Sequence, residues 1–173
     1  KKKTGEEREH GEWSSDVGGA IVDERRNSDH RGRYVLNMNR EKMKERDEIF
    51  SVVAETIENS IGTPKEEIGL KQTIFDELAI DSIDMVDILF ELESHYGIEL
   101  KVSDIESRVR EELGDIPYEV EGIITPEGLV MLRKHMTEID QSLLTEGLTV
   151  HGLVKLFTVE SLCKIVVYRL EAQ

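Results

Sequence analysis

A serine set between carboxylates opens the stretch of this chain best suited to chemistry. Residues 78–93 read Leu-Ala-Ile-Asp-Ser-Ile-Asp-Met-Val-Asp-Ile-Leu-Phe-Glu-Leu-Glu. A serine here has two readings. Ser82 and the preceding Asp81 are both residue types that cap helices, because their side-chain oxygens accept from first-turn N–H groups. An acid in that turn, Asp84, also complements the helix dipole. Alternatively, the Ser82 hydroxyl is a covalent attachment point. Met85, Val86 and Leu89 stand three, four and seven residues beyond Ser82, near one helix face. Interleaved with them, Asp84, Asp87, Glu91 and Glu93 offer a negative surface.

Other chemistries are poorly served. Asp81, Asp84 and Asp87 do not follow the ligand spacing of a calcium loop, since Ile83 and Met85 interrupt a helical stretch. His95, His135 and His151 have no metal-ligand spacing, so no metal is expected. The single cysteine, Cys163, falls in an apolar helical stripe and reads as core. No Gly-x-Ser-x-Gly elbow surrounds a nucleophile.

The elements that would position Ser82 follow from apolar periodicity. Met43, Ile49, Phe50, Val53, Ile57 and Ile61 recur at helical steps over Arg40–Ile61, and Gly62 ends that helix. Residues 65–80 read as a loop anchored by Ile68, Leu70, Ile74, Phe75 and Leu78. A second helix is expected from Ser82 to Tyr96, stopped by Gly97. Beyond it the pattern gives a short helix after Ser103, a turn at Gly114–Pro117 and a brief extended piece over Tyr118–Ile124. Thr125-Pro126 then signals a helix start carrying Leu129, Leu132 and Met136 inward. A final helix should bury Val159, Leu162, Ile165 and Val166. The fold class is all-α, a small helical bundle with one long insertion.

The chain has 173 residues and a net charge of −15. Residues 1–37 hold eight basic and eight acidic side chains, so the negative charge belongs to the rest. Such a surface argues against nucleic acid as a partner and favours basic patches on other proteins. Residues 1–37 show no helical or strand period and read as a disordered extension, with Met38 as the expected natural start. No apolar run suits a membrane span, so a protein that is not an integral membrane protein, cytoplasmic and monomeric, is expected.

Taken together, Asp81-Ser82-Ile83, the leucine and small residue before it, the acidic helix after it, "YGIEL" at 96–100 and "LFTVESLCKIVV" at 156–167 resemble the acyl carrier protein family. The resemblance covers residues 40–102 and 156–171. It implies a non-catalytic carrier with 4′-phosphopantetheine on Ser82, from coenzyme A, and with Asp81 as the flanking acid. It implies phosphopantetheinyl transferase and acyl-processing enzymes (synthases, reductases, acyltransferases) as partners, met by Asp84, Asp87, Glu91 and Glu93. It also implies an acyl cavity whose mouth Met85, Val86 and Leu89 would line.

Two departures stand out. Ala79 occupies a position that is usually glycine in the family. The 57 residues between Leu100 and Thr158 greatly exceed the family's short third helix, whose nearest counterpart is Thr149–Phe157. An enlarged segment of this kind resembles specialised carriers, such as those for very long acyl chains of lipid A. Residues 103–148 would then pack beside the acyl cavity through Leu129, Val130, Leu132, Leu143 and Leu144, or make only a small core of their own. Fatty acid or specialised lipid synthesis is the expected setting. A freestanding polyketide or peptide-synthetase carrier, and an acidic interaction module in which Ser82 merely caps, are the other two readings.

Overall fold

The computed structural model describes residues 30–173, with side chains from Met38 onward. The extension expected over 1–37 falls outside the described residues as far as residue 29, and the backbone from His30 is already helical. Helix α1 spans His30–Ile61, longer by ten residues than the apolar period indicates. Among its described side chains, the buried ones lie in the second half. Ile49, Val53, Ala54 and Ile57 are buried, whereas Met43 is 66% exposed and does not extend the stripe. Gly62, with φ of +78°, ends the helix in the left-handed conformation that glycine adopts without steric cost.

Residues 62–81 form an irregular segment with one helical turn at Lys65–Glu67. Ile68, Leu70, Ile74, Leu78 and Ile80 are buried anchors, and Phe75 packs against them half-buried. Helix α2 spans Ser82–Tyr96 and ends at Gly97, as its sequence predicts. Helix α6, Val159–Glu171, completes the bundle. Helix α1 packs against both α2 and α6.

Between α2 and α6, residues 103–148 form a lobe. Helix α3 (Asp104–Leu113) packs on α4 (Pro126–His135), and a hairpin joins them. Its strands, β1 (Glu119–Val120) and β2 (Ile123–Ile124), are antiparallel with Glu119 opposite Ile124. Glu121 and Gly122 both have positive φ, +53° and +79°, as a two-residue turn between right-twisted strands requires. Thr125 caps α4 by accepting from Gly128 N–H at 3.1 Å, with Pro126 at the first helical position. The short helix α5 (Val150–Lys155) falls where the Thr149–Phe157 counterpart was expected.

The lobe shares one hydrophobic core with the bundle. Val109, Leu113, Tyr118, Ile124, Leu129, Leu132, Met136 and Leu144 are buried. Leu129, Leu132 and Leu144 thus fill core, while Val130 and Leu143 are half exposed at 54% and 49% and take no part in it. Its polar contacts with the bundle run to α6. Arg169 pairs with Asp104 at 3.2 Å, the Arg108 guanidinium sits 4.9 Å from the Tyr168 ring centre, and Lys164 pairs with Glu138 at 2.7 Å.

Candidate functional site

Ser82 is held by what precedes it. The loop is laced to the start of α6: Ile74 N–H donates to the Phe157 carbonyl (2.9 Å), and the Gln72 and Leu70 carbonyls accept from Val159 and Glu160 N–H (3.0 and 2.8 Å). Leu78 N–H then bonds the Thr73 carbonyl, and Ile80 N–H the Ile74 carbonyl, both at 3.1 Å. The chain therefore reaches Asp81 from a buried, hydrogen-bonded Ile80. One step of this path is strained. Ala79 has φ of +53°, a region that disfavours residues bearing a Cβ.

The cap is Asp81, not Ser82. Its Oδ1 accepts from Ile83 N–H at 2.7 Å and Asp84 N–H at 2.9 Å, and Asp84 Oδ2 accepts from Asp81 N–H at 3.1 Å. This reciprocal capping box satisfies orphan donors of the first turn. The bonds from Asp84 and Ile83 N–H hold the Asp81 carboxyl below its ordinary pKa. Two consequences follow for the readings of Ser82. Its hydroxyl is not spent on capping, which removes the local explanation for the serine. The N–H groups of Ile83 and Asp84 are also already taken, so a phosphate on Ser82 would have the dipole but not those donors. Ser82 itself is exposed at the first helical position. A bulky group attached there would stand in water, clear of the core, so the residues present fit a mobile prosthetic arm.

The residues after Ser82 divide by helical phase. Met85, Ile88 and Leu92 are buried at 6%, 0% and 0%, and Leu89 is half-buried beside them. Val86 lies elsewhere. It is 64% exposed and shares an outward stripe with Ile83 (71%) and Phe90 (67%). At about 100° per residue these three fall within about 60° of one another. The three residues expected at a cavity mouth are therefore not brought together: Met85 and Leu89 face inward, Val86 outward. A surface cleft of about 320 Å³ lies instead at the far end of α2, lined by Glu45, Glu48, Ile49, Val52, His95 and Leu170 with Tyr96, whose hydroxyl burial pushes up to about 12.

The four acids divide too. Asp87 and Glu91 are exposed next to the apolar stripe. Asp84 is committed to the capping box, and Glu93 accepts from Leu100 N–H at 2.7 Å, tying down the chain after Gly97. Elsewhere, Cys163 is fully buried, and burial raises its thiol pKa. His135 pairs with Glu112 at 2.8 Å, and burial lowers its imidazole pKa, while His95 and His151 are exposed. Among the described residues, no helix is long and apolar enough to cross a membrane.

Ile83 and Phe90 were missed as surface residues because the helix is apolar on two faces, and no local signal says which is outward. Glu138, buried against α6, had no signal at all, because its partners Ser161 and Lys164 are 23 and 26 residues away.

The chain is similar to known proteins over the region that holds α2. A family model described as "Phosphopantetheine attachment site" matches residues 51–115, a span that contains Ser82 and all of α2. An acyl carrier protein of Thermotoga maritima is 33% identical over 79 residues, 46% of this chain and 95% of that protein. An acyl carrier protein of Petrotoga mobilis is 30% identical over 61 residues, 35% of this chain and 72% of that protein. A meromycolate extension acyl carrier protein of Mycolicibacterium aurum is 30% identical over 93 residues, 53% of this chain and 94% of that protein. No solved structure gives a significant match. The chain belongs to the acyl carrier protein family and carries that family's covalent prosthetic group, 4′-phosphopantetheine.

Proposed function

We propose that Ser82 is the attachment site and that the protein presents acyl thioesters to enzymes of specialised lipid synthesis. The observation that carries the first part is the capping box. Asp81 satisfies the first turn by itself, leaving Ser82 exposed with its hydroxyl outside the cap. The bound group would supply a terminal thiol on a flexible arm, on which acyl chains are held as thioesters. The chain's own residues hold the serine at a fixed helix start and surround it with negative charge. The hydroxyl needs no base from this chain, because the transferase that loads it brings its own catalytic groups.

The outward face of α2 is the docking surface in this reading. Ile83, Val86 and Phe90 supply an apolar stripe, and Asp87 and Glu91 flank it with charge. Partners would match it with an apolar depression rimmed by Lys and Arg. The apolar centre would supply affinity and the charges on-rate and register. This replaces the expected role of Val86 at a cavity mouth and removes Glu93 from the docking acids. The transferase and acyl-processing enzymes would share this face in turn. Freedom from a membrane-spanning helix among the described residues is compatible with work in the cytoplasm.

The lipid setting is supported by the Mycolicibacterium relative, whose name specifies meromycolate extension. Very long acyl chains, as in lipid A, and the fatty acid pathway are the specific forms of this proposal. The test is direct: incubation with coenzyme A and a broad-specificity phosphopantetheinyl transferase, followed by intact mass. A gain of one phosphopantetheine is expected. No gain under conditions that load a control carrier would refute the function.

A further inference from the structure

Glu138 is a charged side chain taken out of water, and carriage of a prosthetic group on Ser82 gives it no task. It follows α4 in the lobe, and its side chain is fully covered. Its Oε1 accepts from Ser161 Oγ at 2.8 Å and its Oε2 from Lys164 Nζ at 2.7 Å. The same ammonium donates to Thr137 Oγ1 at 3.0 Å. Both carboxylate oxygens are thus satisfied, which a buried charge requires. Ser161 is itself the third residue of α6, and its Oγ accepts from Thr158 N–H at 3.2 Å within that helix's capping box. Glu138 therefore grips the residue that closes the cap of α6.

That cap is also where the approach to Ser82 is fastened. Thr158 bridges Thr73, Phe157 receives Ile74 N–H, and the next two N–H groups of α6 reach Gln72 and Leu70. From Ile74 a single hydrogen bond leads to Ile80, and Asp81 follows. Lobe, α6 cap, loop and Ser82 form one contiguous set of bonded groups, the kind of packed network that has discrete arrangements.

We propose that Glu138 is a positioning residue for Ser82: by holding the first turn of α6, the lobe fixes residues 70–80 and hence the attitude in which Ser82 is offered. This rests on Ser82 being the attachment site. When the grip is lost, the loop samples arrangements in which the serine is misplaced. Only the competent fraction then binds the transferase, so apparent affinity falls by that fraction while the chemical step is unchanged.

The experiment uses the full chain, with Glu138→Ala, Glu138→Gln and Ser161→Ala. Two quantities are read: amide hydrogen exchange at Ile74, Leu78 and Ile80 against Val53 and Ile57, and the kinetics of transfer from coenzyme A. In E138A the loop amides should exchange about tenfold faster relative to those of α1. KM for the apo-carrier should rise about three- to tenfold with kcat held within about twofold. E138Q keeps an oxygen for Ser161 and should recover most of both effects. S161A removes the same link from the other side and decides the matter if E138A does not fold. Exchange that accelerates uniformly across loop and α1, or an unchanged KM, would overturn the proposal. If wild type accepts no prosthetic group, the attachment reading fails instead, and the exchange pattern alone decides whether the lobe fixes the loop.

Discussion

Asp81 and Asp84 cap one helix reciprocally, each side chain accepting the other's backbone N–H, at 2.9 and 3.1 Å. Ser82, between them, is left out of the arrangement. The division matters because it separates two duties that the sequence places on adjacent residues. Replacing Asp81 with Ala should lower the melting temperature, whereas Asn, which can also accept at a helix start, should retain most of it. Replacing Ser82 with Ala should leave it nearly unchanged. Thermal melts of the three variants check this.

The same carboxyl predicts a pH dependence. Asp81 is held below its ordinary value of 3.8 by bonds from Asp84 and Ile83 N–H. Its folded-state pKa is depressed, so its contribution is fully present above 3.8 and is lost as pH falls through the lower folded value. The stability difference between wild type and D81N should be constant near neutrality and shrink under acid. Denaturant midpoints across that range test the sign.

Ala79 sits in a backbone conformation that suits glycine better. Its φ of +53° places a Cβ in the left-handed region, where glycine pays nothing. Ala79→Gly should be stabilising by up to about 1 kcal/mol, part of the strain relief being offset by the greater freedom of glycine in the unfolded chain. Ala79→Val should destabilise by more than about 1 kcal/mol, because a β-branched residue fits that region worst. Chemical denaturation separates the two.

Gly128 is a close-packing position. A Cβ there would meet the Tyr118 carbonyl oxygen at 2.6 Å, and backbone cannot swing aside as a side chain can. Gly128→Ala should cost about 1–3 kcal/mol by forcing α4 from the hairpin. Gly152→Ala in α5 provides the contrast. It would crowd only the Thr149 and Leu148 side chains, at 3.1 and 3.2 Å, and should be near neutral.

How much of this was legible in the sequence depends on the range of the interaction. Helix α2 could be bounded at Ser82 and Tyr96 because an acidic cap and Gly97 are local signals, and Thr125 likewise announced α4. The direction of Val86 was not legible. Helix α2 carries apolar residues on two faces, and only packing against α1 selects Met85, Ile88 and Leu92 as the inner one. The cap itself was ambiguous between Asp81 and Ser82, since both types serve and the backbone decides. Glu138 lay beyond reach for a different reason: a buried carboxylate is set by tertiary partners, not by neighbours in the chain.

The outward stripe of α2 makes a prediction of its own. Phe90→Ala should change stability by no more than about 0.5 kcal/mol, as for an exposed side chain, yet weaken binding to a partner enzyme by more than about 1 kcal/mol. Asp87→Lys and Glu91→Lys should instead slow association and reduce its dependence on salt. Binding kinetics at two ionic strengths distinguish the contributions.

Whether Ser82 bears the prosthetic arm is read by fragment mass analysis of the loaded protein. The added mass is expected on the peptide containing Ser82 alone, with none on Ser82→Ala treated identically. The same mass on Ser82→Ala, or on a peptide that excludes Ser82, would contradict it.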